Sequence, residues 1–189
     1  EATAILAGDA FQPLAFEFLS RGYASEPKLA LELIGILART AGSERLVGGQ
    51  MQDLISEGKE PDEETLSYIH SNKTAVMIRA SLQMGFLLGS AGEDDSKREL
   101  VSRAGLSLGL AFQAVDDLLD VTSSTKELGK DASHDHGSGK ITWVTLKGVE
   151  EARQLAKAHT ESACESIAEV GGDNEFLLEL IDYMLDRKN

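Results

Sequence analysis

Three carboxylates and one amide interrupt an otherwise apolar stretch, Gly105-Leu-Ser-Leu-Gly-Leu-Ala-Phe-Gln-Ala-Val-Asp-Asp-Leu-Leu-Asp120. At about 100° per residue along a helix, Asp116 and Asp120 fall roughly 40° apart, with Asp117 expected on the same side and Gln113 beneath them. From Gly105 to Val121 no Lys or Arg balances these acids. A solvated helix face would mix both signs of charge. Converging carboxylates with no internal cation instead point to a divalent metal, and hard oxygen ligands favour Mg²⁺ over zinc. The alternative is that Asp116, Asp117 and Asp120 only solvate the end of a core helix.

A Mg²⁺ ion held by few carboxylates keeps open positions and bridges to substrate phosphates. A phosphate site also needs cations, and two lysine-bearing segments are in place: Lys73-Thr74, and the glycine-punctuated stretch with Lys130 and Lys140. Taken singly, each has an ordinary explanation. Lys73 in mid-helix reads as a lysine whose stem covers apolar surface, and Lys130 and Lys140 read as solvated loop charges. The acid cluster is what gives the three lysines a common purpose.

The elements that must carry these residues are helical. Apolar positions recur at helical spacing through most of the 189 residues, and aromatics make up 5% of the chain, so an all-α fold in a single domain over residues 1–189 is expected. The first helix runs from about residue 1 to 20, with Pro13 expected to kink or divide it. A second spans about 25–41, with Ser25 as N-cap and Pro27 in the first turn. A third covers 43–57, where Gly48-Gly49 permits close approach to a neighbouring helix or a ligand. Asp62 caps a long run over 63–90 that bears Lys73 and Thr74 near its middle. The acid-bearing helix occupies about 97–122, a loop follows over 123–140, and helices over 141–168 and 174–187 meet at the Gly171-Gly172 turn.

Composition excludes several functions. The formal net charge of −14 argues against electrostatic docking on nucleic acid or anionic membrane. An anionic substrate therefore needs a metal and local lysines. Cys164 is the only cysteine, which rules out an intrachain disulfide or a cysteine-based zinc site within these residues and fits a cytoplasmic setting. No stretch is apolar enough to read as a membrane span. Glu1 opens in mid-pattern, so upstream residues are expected in a longer protein.

Histidine chemistry fits poorly. His134-Asp135 has the look of a metal-phosphohydrolase dipeptide, but His70, His136 and His159 do not assemble the further ligands. A di-iron carboxylate bundle needs Glu three residues before His, and none of the four histidines has it.

Taken together, Lys73-Thr74, Phe112-Gln113-x-x-Asp116-Asp117-x-x-Asp120, Gly129-Lys130, Asp135 and Lys140 form a pattern. This chain resembles the trans-prenyl diphosphate synthases, or polyprenyl synthetases, above all their bacterial farnesyl diphosphate synthase (geranyltranstransferase) branch. Ala7-Gly8-Asp9-Ala10, Gly48-Gly49-Gln50-x-x-Asp53-Leu54 and Asp182-Tyr183-x-x-x-x-Arg187 extend the likeness across the chain. Two positions depart from it: Ser133 and Ala75 stand where glycine is usual.

The resemblance implies the C-terminal portion of an isoprenoid-synthase-type helical bundle around a central cavity. It implies an Mg²⁺-dependent prenyltransferase, with Mn²⁺ as a substitute, that condenses isopentenyl diphosphate with an allylic diphosphate. It also implies a cytoplasmic homodimer. Asp116, Asp117 and Asp120 match the second aspartate-rich motif, with Asp116 as direct metal ligand and the others direct or through water. Lys73, Lys130 and Lys140 match lysines that grip the allylic diphosphate, and Thr74 and Gln113 match its hydrogen-bonding neighbours. Phe112 matches an aromatic beside the condensation site, and Asp135 an outer partner of the metal or of Lys130. In that family the first aspartate-rich motif, its arginines and the isopentenyl diphosphate site lie upstream of the position of Glu1. Two other readings share the fold: a non-catalytic subunit, and a terpene cyclase, although cyclases carry an Asn/Ser/Glu metal triad in place of this second acid motif.

Overall fold

The computed structural model describes residues 2–59, 62–89, 94–128 and 141–185, with side chains described except at 122–128 and 185. Among the described residues every regular element is helical. In chain order these are α1 (Ala2–Gly22), α2 (Pro27–Ala41), α3 (Leu46–Ser56), α4 (Glu63–Ile69), a π-helical turn (His70–Ala75), α5 (Val76–Leu88), α6 (Asp95–Leu128), α7 (Trp143–Lys147), α8 (Val149–Val170) and α9 (Glu175–Leu185).

Local chemistry explains most boundaries. Asp62 caps α4 through both carboxylate oxygens, accepting from Thr65 N at 2.7 Å and Thr65 Oγ1 at 2.6 Å, which satisfies one of the orphan donors of the first turn. Pro27 opens α2 as its first residue, but Glu26 holds the cap position and makes no side-chain cap bond, so Ser25 is not the cap. Pro13 lies inside α1 without dividing it: the ring removes one backbone donor, and the bonds on either side carry the helix across. The helix expected over 141–168 is two. Gly148, at φ 85° and ψ 166°, separates α7 from α8, a conformation that a Cβ would oppose. The acid-bearing helix runs on to Leu128, past its expected end.

α6 is the organising element. It buries Val101, Ala104, Leu108, Ala111, Ala114 and Val115 and packs against α5, the π turn and α8. One core cluster joins Ala114 and Val115 to Leu66, Trp143, Ala152 and Ala156; another joins Ala104 and Leu108 to Ala163, Ile167 and Ile181. Glycine sets the spacing on the α5 side. A Cβ on Gly109 would collide with the backbone of Ala75, and one on Gly105 with that of Arg79, so α6 and the π turn approach backbone to backbone.

α1 contrasts with this core. It buries no residue, and Ile5, Leu6, Phe11 and Phe18 are each more than 60% exposed.

Candidate active site

The run over 63–88 is helical throughout, yet its middle is not α-helical. Residues His70–Ala75 form a π turn, in which hydrogen bonds reach one residue further than in an α-helix and side chains are rotated relative to a regular helix; such turns gather at functional sites. Lys73 and Thr74 both lie on it.

The π turn is held from two sides. On the α3 side, Lys73 Nζ sits 2.5 Å from Asp53 Oδ2, Arg45 Nη1 donates to Asn72 Oδ1 at 3.1 Å, and Gly49 lies so close that any side chain there would strike the backbone of Asn72 and Lys73. Gly49 is thus a packing glycine. On the α6 side, Thr74 Oγ1 donates to Gln113 Oε1 at 2.9 Å. Asp116, Asp117 and Asp120 follow Gln113 within seven residues, a span of about 10 Å along the helix axis.

The acids do not all share one face. Asp116 is half-buried and Asp120 exposed, but Asp117 is 0% exposed and turned into the core. Its Oδ2 accepts a hydrogen bond from Trp143 N at 2.9 Å and lies 3.8 Å from His70 Nε2. The sequence placed Asp117 beside Asp116 and Asp120. In fact it stands about 100° around the helix from Asp116, enough to reach α7 instead. Among the described residues no three His, Cys, Asp or Glu side chains gather as a metal cage.

The surroundings of Asp117 are built as carefully as those of Lys73. Thr142 and Thr145 form a reciprocal capping box at the start of α7, and the N–H of Trp143, which has no acceptor within its own helix, is given to Asp117. The Trp143 ring meets His70 edge-on, with centroids 6.0 Å apart. Lys147 Nζ lies 5.6 Å from the same ring and 2.7 Å from Glu63 Oε2, which ties α7 back to α4.

Phe112 is half-buried, next in sequence to Gln113. Lys130, Asp135 and Lys140, with His134 and His136, lie outside the described residues. Sequence reading left three contributors out of the site: Asp53, His70 and Trp143. Asp53 sits in the quoted Gly-Gly-Gln-x-x-Asp segment, and that spacing was a usable signal. His70 and Trp143 gave none, because only packing brings them to Asp117.

A family model described as polyprenyl synthetase matches residues 1–179. Over 196 residues the chain is 41% identical to farnesyl diphosphate synthase of Escherichia coli (strain K12), covering 99% of this chain and 64% of that protein. It is 38% identical over 196 residues to chloroplastic geranylgeranyl pyrophosphate synthase 11 of Arabidopsis thaliana, covering 100% of this chain and 54% of that one. Among solved structures, an FPP/GFPP synthase from Zymomonas mobilis superposes with a TM-score of 0.82 at 32% identity, over 97% of this chain and 61% of that one. A geranyltransferase from Helicobacter pylori complexed with magnesium and isoprenyl diphosphate gives 0.76 at 33% identity, over 98% and 60%. The chain spans between about half and two thirds of the length of these relatives.

Proposed function

The chain belongs to the polyprenyl synthetase family, and we propose that the protein containing it is a prenyltransferase that adds isopentenyl diphosphate to dimethylallyl diphosphate and again to the resulting geranyl diphosphate, giving farnesyl diphosphate. The observation that carries this reading is the hydrogen bond from Thr74, the neighbour of Lys73 on the π turn, to Gln113 on α6, one turn before Asp116. On this reading the Thr74 hydroxyl, the Gln113 amide and the Asp116 carboxylate serve one ligand, with Lys73, held by Asp53, supplying the cation. Farnesyl diphosphate as product rests on the likeness to the bacterial branch.

The side chains present fit Mg²⁺. That ion is held by one or two carboxylates and keeps the rest of its shell for water and phosphate; with Asp117 turned inward, Asp116 and Asp120 are the two that remain on the face toward Gln113. When bound, Mg²⁺ neutralises charge on the departing diphosphate. Lys73 brings a positive charge to the same group, and Thr74 and Gln113 orient it. Lys130 and Lys140 complete the grip, with Asp135 as an outer partner. Phe112 borders the allylic chain, where its ring face stabilises developing positive charge. The allylic C–O bond breaks toward these preorganised charges, the isopentenyl double bond attacks, and a proton leaves to the released diphosphate. No protein nucleophile takes part. Homodimerisation and a cytoplasmic location belong to the same proposal.

The test is product analysis of the full-length protein with labelled isopentenyl diphosphate, Mg²⁺ and each allylic primer. A linear fifteen-carbon diphosphate is expected. Asp116→Asn should lower kcat by about 10²- to 10³-fold, the range for losing one electrostatic stabiliser. A cyclic terpene, or no turnover with any primer, overturns the reading.

A further inference from the structure

We propose that Asp117 and His70 are a positioning pair, and not part of the metal site: they fix the rotation of the π turn against α6 and so set where Lys73 and Thr74 stand relative to Asp116 and Asp120. The proposal rests on the functional reading above for the identity of the substrate, but its geometric content does not.

Four observations carry it. First, Asp117 is 0% exposed and His70 4% exposed, so both lie within the helix packing, whereas Asp116 is half-buried and Asp120 exposed. A buried carboxylate is tolerated only where polar partners compensate for lost hydration, and Asp117 has Trp143 N at 2.9 Å and His70 Nε2 at 3.8 Å on one oxygen. Second, among the described residues the π turn, α6 and α7 meet at this carboxylate, and α7 is strapped to α4 through Lys147 and Glu63. Third, His70 is the first residue of the π turn and Lys73 the fourth, so holding His70 holds the start of the turn that presents the lysine. Fourth, among the described residues the π turn is also tied to α6 by the hydrogen bond from Thr74 to Gln113 and by the close approach of Gly109 to Ala75. The glycine contact sets separation and leaves rotation to the polar ties.

A π turn is a rare departure inside an α-helix, found mostly as a single turn and frequently at functional sites. Loss of the Asp117–His70 tie therefore lets the turn shift toward α-helical bonding, swinging Lys73 and Thr74 about the helix axis and away from Asp53 and Gln113. Asp117 is adjacent to the metal-facing Asp116 in sequence, yet its effect on catalysis runs through the diphosphate grip.

The experiment compares Asp117→Asn, Asp117→Ala and His70→Gln with Asp116→Asn in the full-length protein. Three quantities are read: the Mg²⁺ concentration for half-maximal rate, KM for the allylic diphosphate, and amide exchange over residues 70–75. Asp117→Ala should raise KM on the order of tenfold, the equivalent of one charged hydrogen bond, speed exchange in the π turn and leave the Mg²⁺ requirement within about twofold. Asp117→Asn, whose amide oxygen still accepts from Trp143 N, should recover most of the KM loss. Asp116→Asn should do the opposite, raising the Mg²⁺ requirement with π-turn exchange unchanged. Should Asp117→Ala fail to fold, His70→Gln gives the raised KM and faster exchange in its place, with Asp117→Asn as the milder variant. If Asp117→Asn shifts the Mg²⁺ requirement as far as Asp116→Asn, Asp117 is a ligand and the proposal falls; it falls equally if neither KM nor exchange responds. If the wild-type protein shows no condensation, the functional reading fails, while exchange over 70–75, with the emission of Trp143 measured against a Trp143→Phe control, still decides the positioning role.

Discussion

Thr74 Oγ1 donates to Gln113 Oε1 at 2.9 Å across thirty-nine residues of chain. With the amide oxygen accepting, the amide nitrogen is the donor that Gln113 would turn to the diphosphate of the proposed reaction. The bond therefore fixes which way the amide points as well as joining the π turn to α6. Thr74→Val and Gln113→Leu should each raise KM for the allylic diphosphate, and the double variant should be little worse than the poorer single one. A coupling of about 1 kcal/mol in a double-mutant cycle is expected for residues in direct contact; strictly additive effects would show that the bond does not act in binding.

Asp53 holds Lys73 at 2.5 Å from the α3 side, in a pair whose side chains are 25% and 35% exposed. Solvent screens such a pair, so it contributes less than about 1 kcal/mol to folding. Its consequence lies in where the ammonium stands. Asp53→Asn should leave thermal stability nearly unchanged while raising KM for the allylic diphosphate several-fold, and Asp53→Glu should restore part of the loss. Unchanged KM in Asp53→Asn would mean that Lys73 is positioned without it.

The helical glycines divide into two kinds. Any side chain at Gly109 strikes the backbone of Ala75, whereas a Cβ at Gly85 meets nothing within 4 Å. Gly109→Ala should destabilise by about 1–3 kcal/mol, as overpacking does, because backbone on the far side cannot yield as a flexible side chain would. Gly85→Ala, also inside a helix but at an exposed position without the collision, should be neutral or stabilising by up to about 1 kcal/mol. Urea unfolding of the two variants checks the contrast. Equal effects would remove close backbone packing as the reason for Gly109.

Much of this architecture was legible because it is written in local chemistry. Helical apolar spacing marked α2, α3, α8 and α9, Asp62 marked the start of α4, and paired glycines marked the last turn. Recognising a pattern of distant segments singled out Thr74 and Gln113 as neighbours of a diphosphate, but their hydrogen bond to each other emerged only from the packing of the π turn on α6. What stayed hidden depends on geometry that one helix cannot reveal. A projection at fixed angle gave Asp117 the same side as Asp116, since it contains no neighbour to claim that carboxylate; Trp143 N and His70 do so only once α7 and the π turn are packed on α6. The π turn was equally invisible, because Leu66, Ile69, Val76 and Ala80 are buried on either side of it and read as one α-helical stripe. Gly148 failed as a signal for a different reason. Nothing in a single glycine distinguishes a tolerated helical position from one at φ 85°.

His159 on α8 is half-buried, and burial pushes its pKa below the ordinary 6.5, because desolvation disfavours the charged ring. In the unfolded chain the imidazole takes up its proton near 6.5, and in the folded protein only at lower pH. As pH falls from 6.5 toward the lower folded value, the unfolded state binds more protons and folding stability declines; above 6.5 both states are neutral and the contribution is intact. The wild-type protein should therefore lose stability faster than His159→Asn on acidification below about pH 6.5, with the two curves parallel above it. Thermal melting of both proteins across that range decides the matter. The difference between the curves cancels the many carboxylates common to both, so parallel curves throughout would mean that His159 titrates alike folded and unfolded.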